Sequence, residues 1–112
     1  MTINTTPSSL DALARFGHAL SDSTRVKILV LLSEKAHFPA DMAEELGTTR
    51  QSISNHLACL KGCGLVTQEP VGRRSMYQLA DERIKHALVD LQQVVLKTDP
   101  TVCNDTDEKD CC

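Results

Sequence analysis

Tryptophan is absent from this chain of 112 residues, and aromatic residues make up only 3% of it. A β-sandwich core draws on aromatic and β-branched side chains, so this composition points to packed helices built on Leu, Val, Ala and Ile. No apolar run is long enough to span a bilayer, and the first residues lack the basic-then-hydrophobic layout of a signal peptide. The expected location is therefore the cytoplasm, with no membrane partner and with thiols kept reduced. Phosphate loops, nucleophile–base pairings and paired carboxylates in a cleft-forming pattern are also missing, so an enzyme is not expected.

An excess of basic charge is lacking as well, since the formal net charge is −3. Its distribution matters more than its sign. Residues 1–100 carry 11 basic and 11 acidic side chains, whereas residues 101–112 carry Asp105, Asp107, Glu108 and Asp110 against Lys109. The deficit thus sits in the last stretch of the chain. Between positions 50 and 74, Arg50, Lys61, Arg73 and Arg74 face only Glu69. Such a local basic surface suffices for phosphate contact even in an acidic protein.

What is present reads as three segments. Residues 1–8 are polar and form a flexible arm, 9–97 a folded domain, and 98–112 an acidic tail bearing cysteines. Apolar spacing predicts a first helix from Ser9 to about Leu20 and a second, capped by Ser21 or Asp22, running to about Lys35. Val26, Ile28, Leu29, Val30, Leu31 and Leu32 make the second helix apolar on most sides, hence central. Pro39 and Asp41 suit the start of a third helix with Met42, Ala43 and Leu46 inward, and Gly47 ends it. Thr48 or Thr49 caps a fourth from about Arg50 to Gly62, completing the sequence shape of a helix-turn-helix. Leu65–Thr67 and Ser75–Leu79 read as two short strands, with Pro70–Arg74 as a turn with a positive tip. A last helix spans Asp81 to about Lys97 and carries a stripe from Ile84 to Leu96 wider than one small domain needs. The fold class is mainly α with a β-hairpin wing, a winged helix-turn-helix. The surplus apolar surface on the first and last helices suggests a homodimer.

Five cysteines, at 59, 63, 103, 111 and 112, read as metal ligands or redox groups, because a disulfide framework does not suit a reducing compartment. Cys59 and Cys63 stand four apart, one helical turn on one face. At about 100° per residue they lie roughly 115° from the core direction set by Ile53, Leu57 and Leu60, on an accessible shoulder. Thiolates select soft ions such as Cd(II), Pb(II), Zn(II) or As(III), and a helical pair leaves coordination positions that Cys103 could fill. A buried apolar role for the pair is the plainer alternative. Cys111 and Cys112 read equally well as auxiliary ligands or as solvated terminal residues.

The exposed side of the fourth helix offers Arg50, Gln51, Ser52, Ser54 and Asn55 to base edges and phosphates of double-stranded operator DNA. Arg73 and Arg74 on the wing would reach phosphate or the minor groove. His56 is read as structural, and His18, His37 and His86 as isolated surface or internally satisfied histidines.

Three phrases carry a resemblance: LSDSTRVKIL (Leu20–Leu29), RQSISNHLACLKGCGLV (Arg50–Val66) and GRRSMYQLAD (Gly72–Asp81). On these the chain resembles the ArsR/SmtB family of metal-sensing repressors from about Leu10 to Leu96, with Ser23 where a proline is usual. The resemblance implies a homodimer that represses when metal-free and releases its operator when metal binds. The Cys-x3-Cys pair, the Gly-Cys-Gly-Leu-Val exit and a cysteine beyond the last helix are similar to a cadmium/lead-sensing branch of that family. This implies Cys59, Cys63 and Cys103 as ligands of Cd(II) or Pb(II), with Cys103 reaching the other protomer's pair. Third-helix thiols near Phe38 and Ala40 are missing, and Arg83 stands where a last-helix zinc site would place a His. A same-fold sensor of As(III) or of thiol oxidation, and a metal-capturing module without DNA activity, remain the alternatives.

Overall fold

The computed structural model describes residues 7–94, in which four helices pack around a central second helix and one antiparallel hairpin projects from the edge. α1 (Pro7–Ala19) begins two residues before the sequence reading placed it, with Pro7 at a position where the missing N–H costs nothing. α2 (Ser23–Glu34) is capped by Asp22, whose carboxylate accepts the Arg25 backbone N–H at 3.0 Å. Ile28, Leu29, Leu31 and Leu32 are buried on α2, as its dense apolar run requires.

α3 (Pro39–Leu46) and α4 (Arg50–Gly62) form the helix-turn-helix. Gly47 ends α3 in the left-handed region at φ 66°, where an L side chain would be strained, and its N–H returns to the carbonyls of Ala43 and Glu44. Thr49 then caps α4 by accepting the Ser52 N–H at 3.0 Å. Ile53, Leu57 and Leu60 project from α4 into the core, where they meet Ile28, Leu29, Met42 and Val66.

The hairpin is longer than its sequence signal. β1 (Val66–Val71) pairs with β2 (Arg74–Leu79), from Val66 opposite Leu79 to Val71 opposite Arg74. Only Gly72 and Arg73 remain as the turn, Gly72 supplying the positive φ of 64° that a tight hairpin needs. The expected turn over Pro70–Arg74 is thus too wide. Pro70 stays in register opposite Ser75, because a two-stranded ribbon has edges on which a missing N–H is tolerated. The base of the wing is fixed to the domain by a bridge between His37 and Tyr77, with both backbone hydrogen bonds made, at 2.8 and 3.0 Å.

α5 (Glu82–Gln92) starts at the Asp81 cap, which accepts the Arg83 N–H at 2.8 Å. It ends at Gln92, short of the expected stop near Lys97, with Val94 already outside the helix and exposed. The apolar period continues past Gln92, but a final turn gains stability only by packing, and Val94 stays exposed among the described residues. Lys97 itself and the tail lie outside the described residues.

Arg25 is the one buried charged residue among those described, 5% exposed. Its Nε donates to the Ala19 carbonyl at 3.2 Å, and its Nη2 to the His18 carbonyl at 2.9 Å and the Ser21 hydroxyl at 3.1 Å. A planar guanidinium thereby closes the C-terminal end of α1 and locks it to α2.

Candidate metal centre and DNA-reading face

Cys59 and Cys63 are both half-buried, on the shoulder of α4 that spacing predicts. Cys59 lies within the last turns of the helix. Cys63 is its C-cap in right-handed geometry, and its N–H donates to the Cys59 carbonyl at 3.0 Å, so the two keep helical stacking. Both thiols look toward α1. Cys63 lines an open groove of about 810 Å3 between α1 and α5, together with Leu13, Phe16, Leu65, Ile84 and Ala87. Cys59 Sγ lies 3.8 Å from His18 Nε2 on the last turn of α1.

That contact corrects the reading of His18 as isolated. The two residues are 41 positions apart, and no spacing rule links them. Only the docking of α1 on the cysteine shoulder of α4 brings them together. The other histidines are engaged elsewhere. His37 Nδ1 is 2.8 Å from the Lys35 carbonyl, the half-buried His56 is 3.9 Å from Asp22, and His86 is 4.0 Å from Glu82 on the surface.

Two helical thiols one turn apart suit a soft cation, but two donors do not complete a tetrahedral or trigonal shell. Among the described residues no three His, Cys, Asp or Glu side chains converge to hold a metal ion. By themselves the two thiols do not make a complete metal site among the described residues. Cys103, Cys111 and Cys112 lie outside the described residues.

Toward the N-terminal end of α4, Arg50, Gln51, Ser54 and Asn55 are exposed, and Ser52 is half-buried against the cap. Gln51 Nε2 donates to Asn55 Oδ1 at 3.0 Å, which holds two amide side chains together on the outward face. The wing gives its arginines different settings. Arg73 is exposed at the turn and makes no ion pair among the described residues. Arg74 does not stand free at the tip. Its guanidinium stacks 3.6 Å over the Phe38 ring and lies 3.7 Å from Asp41, tying the wing to α3.

Lys61 Nζ donates to Gln68 Oε1 at 3.0 Å, and the Tyr77 hydroxyl donates to the same oxygen at 3.0 Å. These bonds orient the wing relative to the reading helix. A short helix held by a cap, a preceding helix and a basic hairpin is the machinery of a winged helix-turn-helix DNA-binding regulator, a class that is not enzymatic.

Comparison with known proteins gives the family. The family described as "Bacterial regulatory protein, arsR family" matches residues 22–68. The chain is 51% identical over 88 residues to the HTH-type transcriptional regulator CmtR of Mycobacterium tuberculosis, covering 79% of this chain and 75% of that protein. It belongs to the ArsR family of bacterial transcriptional regulators. The NMR structure of the cadmium metal-sensor CMTR from Mycobacterium tuberculosis superposes with a TM-score of 0.64 at 50% identity, over 77% of this chain and 90% of that one. The homodimeric winged helix-turn-helix domain of Mb0332 from Mycobacterium bovis superposes at 0.72 with 30% identity, over 82% and 87%. No helix among the described residues is long and apolar enough to cross a membrane.

Proposed function

We propose that this chain is a metal-responsive repressor that holds operator DNA as a homodimer when metal-free and lets it go when Cd(II) or Pb(II) is bound by Cys59, Cys63 and Cys103. The observation that carries this reading is the placing of two half-buried thiols on the reading helix itself, at the opposite end from its polar DNA-facing residues. Similarity to a cadmium sensor over most of the chain supports it.

Sulfur donors supply the preference for soft ions, and Zn(II) is a weaker candidate on the same donors. The chain's own part is mechanical. Cys59 and Cys63 sit at the C-terminal end of α4, whose N-terminal half carries Arg50, Gln51, Ser52, Ser54 and Asn55. Drawing the two thiols toward donors outside the helix fixes its C-terminal end, so the orientation of its DNA-facing half changes with it. Arg73 and Arg74 add backbone contacts from the wing. Linkage then requires DNA to weaken metal binding by the factor by which metal weakens DNA binding, and a coupling of about 1–3 kcal/mol gives losses of roughly 5- to 150-fold.

The test is anaerobic titration of the full-length protein on a fluorescent fragment of its own promoter with Cd(II), Pb(II), Zn(II) and As(III). Release by Cd(II) and Pb(II), with a sulfur-to-metal charge-transfer band, is expected. Cys59→Ser, Cys63→Ser and Cys103→Ser should bind the metal-free operator normally and fail to release it. Undiminished Cd(II)-driven release from the Cys59 and Cys63 variants would overturn the proposal.

A further inference from the structure

The thiol pair has a neighbour that neither spacing nor motif assigned. We propose that His18 is a further ligand of the Cys59–Cys63 centre, its Nε2 binding the same cation as the Cys59 sulfur. The inference rests on the reading of those cysteines as metal ligands and adds a nitrogen donor from a different helix.

Distance is the first argument. Zinc–sulfur and zinc–nitrogen bonds of about 2.3 and 2.0–2.1 Å, at a tetrahedral angle, put the two ligand atoms roughly 3.5 Å apart, and a larger ion widens this a little. His18 Nε2 and Cys59 Sγ stand 3.8 Å apart. A cation replacing the proton between them needs almost no movement of either side chain. Cys63 follows Cys59 by one helical turn, its N–H donating to the Cys59 carbonyl at 3.0 Å, so the second sulfur belongs to the same stripe of the helix.

Presentation is the second. A useful ligand is held by its surroundings before the ion arrives. The His18 carbonyl accepts the Arg25 guanidinium at 2.9 Å and the Ser21 hydroxyl at 2.6 Å. Buried Arg25 thus pins the backbone that carries the imidazole. His18 is itself half-buried, as is Cys59, which limits competition from water while leaving an open side.

Chemistry is the third. Imidazole is a borderline donor, and its presence beside thiolates makes a site competent for Zn(II) and Co(II) as well as for the softest ions. His18 also changes what the site connects. With His18 bound, α1 and α4 of one protomer are cross-linked, so the reading helix is held to the helix that exposes Leu10 and Leu13.

The full-length 15N-labelled protein, loaded anaerobically with 113Cd(II), tests this by long-range proton–nitrogen correlation of its imidazoles. The expected result is a shift of the His18 Nε2 resonance with a one-bond splitting to 113Cd, while His37, His56 and His86 stay unchanged. His18→Gln keeps the carbonyl that Arg25 needs. It should retain the sulfur charge-transfer band but bind Zn(II) about tenfold or more weakly, with a smaller loss for Cd(II). A band that forms without splitting at His18, or unchanged Zn(II) and Cd(II) affinities in His18→Gln, overturns the His18 ligand and leaves the thiolate site standing. Absence of the band from the unaltered protein overturns both.

Discussion

The Arg74 guanidinium spends its planar face on Phe38 at 3.6 Å and approaches Asp41 at 3.7 Å, whereas Arg73 extends from the Gly72 turn into solvent. An exposed ion pair is worth little, and an exposed cation–π contact about 0.5–1 kcal/mol, so Arg74 holds the wing to α3 lightly. It can serve DNA only from that fixed position. Replacing either arginine with alanine should weaken binding about equally across DNA sequences and reduce the slope of log affinity against log salt by about 1. Only Arg74→Ala should also lower the urea midpoint, by a stability loss of about 0.5–1 kcal/mol. Fluorescence anisotropy over a range of salt, with urea unfolding beside it, separates the two roles. An Arg73→Ala protein with unaltered affinity and slope would remove the wing tip from the DNA interface. At the same scale, Cys59 and His18 show what a sequence hides. Each residue type is visible, but their meeting depends on how two helices dock.

Elements were legible where local chemistry marks their ends. Asp22, Pro39, Gly47, Thr49 and Asp81 each stand at a boundary because a side-chain acceptor, a fixed φ or a left-handed turn is needed there. The reading failed where the deciding force is not local. α5 stops at Gln92 although its apolar period runs on, and β1 continues through Pro70 because an edge tolerates the missing N–H. The candidate site was legible to the same degree: the shoulder position of Cys59 and Cys63 by helical spacing and the exposed polar end of α4 by its residue types, while Cys103 lies outside the described residues. One cap offers a direct test of how α4 is held. Thr49→Ala removes the acceptor of the Ser52 N–H and should cost about 1 kcal/mol. At equal protein concentration that lowers Tm by about 4–8 °C for a domain of this size. Because the frayed turn carries Arg50, Gln51 and Ser52, operator affinity should fall several-fold while the charge-transfer band at the distant end of the helix is unchanged. Calorimetry, anisotropy and metal titration on the one variant read these three effects. An equal loss of metal binding would mean that the cap supports the whole helix and not its first turn.

At the scale of the whole molecule, apolar surface is left over on the first and last helices. Leu10 and Leu13 of α1 are 51% and 63% exposed, and Leu91 of α5 and Val94 just beyond it are 48% and 54% exposed. These residues lie on the elements that border the groove floored by Cys63 and Leu65. A monomer of this size gains from covering such a patch, and a second copy does so with the symmetry that pairs two reading helices on two half-sites one DNA turn apart. Under the proposed function, each thiol pair would then lie beside the partner, and dimerisation would bear on metal capture and operator binding alike. Leu13→Asp together with Leu91→Asp should therefore leave the helical signal intact and convert a dimer to a monomer in sedimentation. Operator affinity should drop by about 10²-fold or more, roughly 2.8 kcal/mol at 1.4 kcal/mol per decade, as half of the contacts are lost. Metal binding in this double variant is informative in its own right. If Cys103 of the same chain closes the site, the charge-transfer band survives at full affinity. If the third thiolate comes from the other protomer, the band weakens as the dimer is lost, and it returns as protein concentration is raised. A double variant that remains dimeric and binds its operator normally would place the dimer surface elsewhere on the molecule.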